Sequence, residues 1–279
     1  MRVKIAVLAL LFLTHLAPAL RAQPASAVPF EFRSGLLSVE VSASGASRPL
    51  RFLVDSGASQ SVIDLATAQR CGLRLGAAET VQGVGCETVA RRVSGFRAQV
   101  AGQSLPPAPL AIGLGNVSAA TGQHIDGLLG ADFFRGRIVQ IDFAARQLRL
   151  LDACPSPSGA FTLPARSLNQ AICVPISVNG RASQWVRLDT GCDEALRWVT
   201  SAVRPGGSTG KVSIGVSGSS SDYATTSVNL GGQLFPEVRT GLHRREIFPG
   251  EAGLLGTGLL SRFRLTIDGV AHRVVFERR

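Results

Sequence analysis

Apolar and polar residues alternate along most of this chain in runs of strand length. Leu36-Leu37-Ser38-Val39-Glu40-Val41 and Leu50-Arg51-Phe52-Leu53-Val54 are two examples, separated by a polar turn. Such runs read as half-buried or fully buried strands, and they far outnumber stretches with helical periodicity. The chain is therefore expected to be mostly β. One apolar run is different: Ile5 to about Leu20, broken by His15 and Pro18, follows Arg2 and Lys4 and is succeeded by small residues. That is the layout of a secretory signal peptide, with Ala25-Ser26-Ala27 as a small-x-small cleavage site and Ala22 as a second. The run is shorter than the roughly 20 apolar residues of a stable span. Residues 1–27 are accordingly set aside from the fold. The expected location is the periplasm or the exterior, with no stable membrane span once the leader is removed.

The strand pattern is written twice. Gly35 to Val41, a turn from Ser42 to Arg48, and Leu50 to Val54 lead into Asp55-Ser56-Gly57. Ala171 to Val178, a turn at Asn179-Gly180, and Trp185 to Leu188 lead into Asp189-Thr190-Gly191. The copies meet again at Gly127-Leu128-Leu129-Gly130 and Gly253-Leu254-Leu255-Gly256, 72 residues after Asp55 and 64 after Asp189. From there they align without a gap to Ile141-Asp142 and Ile267-Asp268, and each closes on an apolar strand. Internal repetition of this kind predicts two homologous units. Between them, Asp152 to Gly159 is rich in Pro, Ser and Gly and reads as a linker. The expected organisation is an N-terminal lobe over 28–151, a linker over 152–165 and a C-terminal lobe over 166–279. Two β-barrel-like lobes related by a pseudo-two-fold axis, with a cleft between them, follow from the repeat.

A single Asp-Thr-Gly is an ordinary turn. Two of them, each leaving an apolar strand and each followed by Gly-Leu-Leu-Gly, are far more specific. Leu53-Val54-Asp55-Ser56-Gly57-Ala58-Ser59 and Gly127-Leu128-Leu129-Gly130 resemble the catalytic loop and the segment beneath it in aspartic peptidases of the pepsin and retropepsin superfamily. The likeness extends over both halves and is closest to retropepsin-like units fused in tandem. It implies the acid-protease fold, Asp55 and Asp189 as the catalytic pair, and peptide-bond hydrolysis by a water activated between them. Two carboxyls about 3 Å apart cannot both ionise, so they share one proton. One member then serves as general base and the other as general acid. Neither a cofactor nor a metal is required. The resemblance further implies that Ser56 and Thr190 bond to the opposite loop, and that Gly57 and Gly191 let backbone approach the carboxylates. A peptide or protein is the expected substrate. A monomer is the expected state, since one chain supplies both loops.

Two departures from the family pattern stand out. Pepsin-like loops carry Ser or Thr after the Gly, where this chain has Ala58 and Cys192. Loss of a donor to the charged form raises a carboxyl pKa, which predicts a pH optimum milder than that of pepsin-like enzymes. The second concerns the flap, the hairpin that closes over substrate. Glu79 to Cys86, containing Val81, Gly83, Val84 and Gly85, stands where the family places it, yet the only tyrosine is Tyr223. Lys211 to Gly218, containing Ile214 and Gly215, is the matching stretch of the second half, so two flaps are expected, as in retropepsins.

Charge changes the picture little. The formal +10 becomes +7 without Arg2, Lys4 and Arg21, but the arginines are scattered and no aromatic-interleaved basic stripe exists, so nucleic acid is not an expected partner. Five cysteines allow two bridges in fifteen ways, of which Cys71–Cys86 with Cys154–Cys173 closes two short loops. No Cys or His spacing suggests zinc. Gly215-Val216-Ser217-Gly218 lacks the spacing of a serine-hydrolase elbow. Glycosidases also pair two carboxylates, but not in repeated Asp-Ser/Thr-Gly turns. Asp132 and Asp142 read as structural, and Cys192 as a small buried residue or a disulfide partner rather than a reactive thiol. The competing reading is a catalytically inactive module of the same fold that holds an extended peptide in the cleft.

Overall fold

The computed structural model describes residues 26–84, 87–200, 213–217 and 222–278. Almost all regular structure is β, and the two halves of the chain repeat one pairing scheme. In the first lobe Leu36–Ala43 and Leu50–Val54 form an antiparallel hairpin. Gly127–Leu129 lies parallel to Leu50–Val54, Val62–Asp64 antiparallel to Gly127–Leu129, and Leu110–Ile112 parallel to Val62–Asp64. In the second lobe Ala171–Val178 and Gln184–Asp189 form the hairpin. Gly253–Gly256, Leu196–Val199 and Gln233–His243 then follow with the same three senses, parallel, antiparallel and parallel. Even the register agrees: Leu53 faces Leu128 and Val54 faces Leu129, as Arg187 faces Leu254 and Leu188 faces Leu255.

The Gly-Leu-Leu-Gly segments sit centrally because they are short, apolar and small at their ends. A Cβ on Gly127 would lie 2.3 Å from the Phe52 ring, and one on Gly253 would lie 2.0 Å from the Arg197 carbonyl oxygen. Both faces of these central strands are covered, which is why they read as continuous apolar runs rather than alternating ones.

A third sheet joins the lobes. Ser26–Arg33, Gln147–Leu151 and Ile138–Asp142 come from the first half; Phe263–Asp268, Arg273–Arg278 and Phe161–Pro164 come from the second. Its centre is the antiparallel pair Ile138–Asp142 and Phe263–Asp268, where Gln140 faces Thr266 and donates to its Oγ1 at 3.2 Å. Gln140 and Thr266 are equivalent positions of the two copies, so the pairing is symmetric about this point.

Three details differ from the sequence expectation. Ser26 and Ala27 pair with Leu150 and Arg149, so strand structure begins two residues before the boundary set for the leader. Phe161–Pro164, inside the segment 152–165 assigned to a linker, is a strand on the edge of the joining sheet. It is held there by Phe161, which stacks on Phe276 with centroids 5.0 Å apart and meets Phe263 edge-on. Finally, Cys154 and Cys173 are both free thiols, which rules out the bridge drawn between them; Cys173 is instead packed in the core of Ala171–Val178. Cys71 is also a free thiol, and Cys86 lies outside the described residues.

Candidate active site

Each lobe delivers one aspartate at the end of a strand buried on both faces. Asp55 follows Leu50–Val54, its N–H donating to the Leu129 carbonyl at 2.8 Å, while the Ala58 carbonyl accepts from the Ala131 N–H at 2.7 Å. Asp189 ends Gln184–Asp189, and the turn after it is held by Thr257 N–H donating to the Cys192 carbonyl at 2.8 Å. The backbone rather than side-chain chance thus sets where the two carboxyls stand.

The turns are then locked to each other. Ser56 Oγ donates to the Leu188 carbonyl at 2.7 Å and accepts from the Thr190 N–H at 3.1 Å. Thr190 Oγ1 donates to the Val54 carbonyl at 2.8 Å and accepts from the Ser56 N–H at 2.9 Å. All four bonds cross between lobes and all are buried. A buried group stripped of its partner costs roughly 1–3 kcal/mol. Thr190→Val strands the Val54 carbonyl and the Ser56 N–H together and is expected to cost about 2–4 kcal/mol, lowering the melting temperature by several degrees in a thermal melt. Ser56→Ala has a similar effect, and the double variant should cost less than the two combined because each removes the other's setting.

Asp55 and Asp189 are both buried and close enough for their carboxyls to hydrogen-bond. Oδ1 of Asp55 accepts from the Gly57 N–H at 3.0 Å and the Ala58 N–H at 2.9 Å, and Oδ1 of Asp189 from the Gly191 N–H at 2.9 Å. Among the described residues no N–H or hydroxyl donates to Oδ2 of Asp55, consistent with alanine at position 58. The glycines sit where contact demands them: a Cβ on Gly57 would lie 2.3 Å from Cγ of Asp189, and one on Gly191 would lie 2.5 Å from Cγ of Asp55. Burial and the facing Asp189 charge push Asp55 well above the usual carboxyl range. Burial also raises Asp189, against the opposing pull of Arg187, the Gly191 N–H and Arg197.

Arg187 and Glu251 are the residues that motif reading missed. Both are buried, and Arg187 donates from Nε and Nη2 to the two Glu251 carboxylate oxygens at 2.7 and 2.5 Å. The available signal was an arginine inside an otherwise apolar strand, at the place where the first copy has Leu53. Glu194 and Arg197 form a second pair near Asp189, at 3.1 Å, with the Tyr223 hydroxyl donating to Glu194 at 3.1 Å. Cys192 is buried, and burial together with the Asp189 charge pushes its thiol up, so it stays a thiol and not a nucleophile.

The segment expected to form the first flap lies in a hairpin of Arg74–Val84 with Glu87–Ser94. Val81, expected to face substrate, instead packs inward among Leu53, Val62, Ala90 and Leu110, because its place opposite Thr88 puts it on the core side of the hairpin. Gly83 and the backbone of Val84 lie farther out, and Gly85 lies outside the described residues. Ser213–Ser217, with Ile214 and Gly215, runs parallel to Gln82–Val84, with Ile214 opposite Gly83. The two glycine-rich segments therefore pair with each other across the lobes. Among the described residues no group of three or more His, Cys, Asp or Glu is arranged to hold a metal ion.

Residues 39–133 match a family model described as aspartyl protease. No curated protein matches the chain. Among solved structures the chain is similar to an aspartic proteinase from Irpex lacteus, at 12% identity and a TM-score of 0.57, over 91% of this chain and 97% of that one. The chain thus has a pepsin/retropepsin-like fold over 91% of its length, and residues 39–133 resemble the aspartyl protease family in sequence.

Proposed function

We propose that this chain is an aspartic endopeptidase, with Asp55 and Asp189 as its catalytic pair. The observation that carries the reading is a pair of buried carboxyls, one per lobe, facing each other in loops locked by reciprocal hydrogen bonds. Such a pair holds one proton between two sites. The ionised carboxylate takes a proton from water, whose oxygen attacks the scissile carbonyl carbon, while the protonated carboxyl gives its proton to the carbonyl oxygen. The tetrahedral species then collapses, the C–N bond breaks, and the leaving nitrogen takes a proton. Substrate is an extended peptide lying across the cleft beneath the paired Gln82–Val84 and Ser213–Ser217 segments, with backbone bonding as its main grip.

The pH optimum is expected to be milder than that of pepsin-like enzymes. Among the described residues Oδ2 of Asp55 has no hydroxyl donor to favour its ionised form in strong acid. Two ion pairs of the joining sheet also weaken in acid. Asp142 and Asp268 are each raised by burial but lowered more by backbone N–H groups and by Arg264 and Arg273 respectively, so both lie below the usual range. A depressed folded pKa contributes stability above the unfolded value near 4 that is lost as pH falls through the folded value. Cleavage of a diverse peptide pool across pH 3 to 8 should peak above about pH 4 and be blocked by pepstatin. A peak below about pH 3 sinks the milder optimum, and pepstatin-sensitive binding without cleavage at any pH replaces the enzyme with a peptide-binding module.

The same proposal includes export by the N-terminal leader and action as a monomer. Because Ser26 and Ala27 belong to a strand, a cut near Ala22 keeps the joining sheet whole, whereas a cut after Ala27 shortens it. N-terminal sequencing of the mature protein distinguishes the two.

A further inference from the structure

Residues two apart on a strand share a face, so Arg187 lies on the same side of Gln184–Asp189 as Asp189 itself. It occupies the ladder position that Leu53 occupies in the first lobe. Leu53 does there what the position ordinarily asks, packing with Val62 and Leu128. Arg187 is fully buried, sits 3.4 Å above the Phe248 ring, and is held in a two-pronged pair by Glu251, which also accepts from Asn169 at 2.9 Å. A buried ion pair is costly to desolvate, and well-packed hydrocarbon of similar volume often replaces one without loss of stability. The ion pair alone is therefore a weak reason for an arginine here.

What arginine does and leucine cannot is reach the other lobe. Its Nη1 donates to the Gly57 carbonyl at 2.8 Å. That carbonyl and the Ala58 N–H belong to one peptide unit, and the Ala58 N–H is a donor to Oδ1 of Asp55. The guanidinium thus fixes the plane of the peptide that orients Asp55, while its charge acts directly on Asp189. Leu53, at the matching position of the first lobe, has no side-chain donor to make the corresponding bond to Gly191.

We propose that Arg187, held by Glu251, is a positioning residue that makes the two carboxyls unequal: it keeps Asp189 as the ionised member that takes the proton from water, and leaves the shared proton on Asp55, the acid. This deepens the peptidase reading and rests on it for the roles of acid and base. The other groups facing Asp189 are Asp55 on the opposite loop, Cys192 on its own turn, and Arg197 with Glu194 bound to it. After burial, the Arg187 charge is the largest influence on Asp189 and opposes its rise.

Two variants separate this role from a structural one, because they move the charge near Asp189 in opposite senses. Glu251→Gln leaves the Arg187 charge uncompensated and should shift the acidic limb of kcat/KM down by about one pH unit. The paired change Arg187→Met with Glu251→Met removes the cation without stranding a buried charge and should shift the limb up by a similar amount. Carbon-13 NMR titration of the aspartate carboxyls, assigned with Asp55→Asn and Asp189→Asn, reads the same shifts whether or not peptide is cut. Shifts in one direction, or none, in folded variants overturn the role of Arg187 even when the wild type cleaves. Opposite NMR shifts in a wild type that cleaves nothing uphold the inequality and sink the peptidase reading instead. Should the paired variant not fold, the sign of the Glu251→Gln shift decides alone.

Discussion

Asp55→Asn and Asp189→Asn each abolish peptide cleavage, with an expected loss of at least about a thousandfold, because neither general acid nor general base can act without the other. The two should be equally inactive, since one carboxyl alone has no partner with which to share a proton. Cleavage surviving Asp189→Asn would mean that the second lobe is scaffold and that two first lobes meet in a dimer. Stability moves the other way. Burial and the facing charge raise the Asp55 carboxyl, so between the unfolded value near 4 and the folded value the native state holds a proton that the unfolded chain has released. Its contribution is present in full below the unfolded value and is lost as pH rises through the folded one. Asparagine has no proton to lose. Asp55→Asn should therefore melt progressively higher than wild type as pH is raised from 4 to 8, and a difference that stays flat with pH would contradict the raised carboxyl.

Gly57→Ala should be as damaging as loss of an aspartate, although it removes no functional group. The added Cβ would stand 2.3 Å from both Cγ and Oδ1 of Asp189, against groups that the loop lock holds in place. Real Cβ atoms do not approach so closely, so either the carboxyl turns away or the loops part. Either result ends activity, with a loss of about a thousandfold or more, and overpacking here costs roughly 1–3 kcal/mol or more. Gly191→Ala meets Asp55 in the same way and should match it. Gly113→Ala is the control, since a Cβ there meets nothing within 4 Å, and it should leave cleavage and melting unchanged. Retained activity in Gly57→Ala would mean that the carboxyls are farther apart in solution than the loops allow.

The repeat made most of the fold legible. The hairpin, the Asp-Ser/Thr-Gly turn and the Gly-Leu-Leu-Gly strand recur in order, and they are the elements that carry the pairing scheme common to both lobes. Less legible were features that depend on contacts between distant segments. Phe161 looks like part of a linker until Phe276 and Phe263 provide a surface for it. Val81 sits in a glycine-rich flap segment, but its strand phase turns it toward Leu53 and not toward the cleft. The bridge drawn from Cys154 to Cys173 followed loop length alone, and loop length carries no information about where a side chain is buried. Arg187 was visible as an oddity in an apolar strand, but Glu251, 64 residues away, had to be brought beside it before the oddity acquired a chemistry.

The one-sidedness of Arg187 has a meaning for how such a site can change. A symmetric dimer writes each residue twice, so a cation placed beside one carboxyl is placed beside both, and the halves stay equivalent whatever is substituted. Joining the two units in one chain lifts that constraint. Leu53 and Arg187 stand at one ladder position of a duplicated unit and have diverged into packing on one side and charge on the other. A division of labour between donor and acceptor can then be inherited in the covalent chain, instead of being decided afresh each time a proton settles on one of two identical sites.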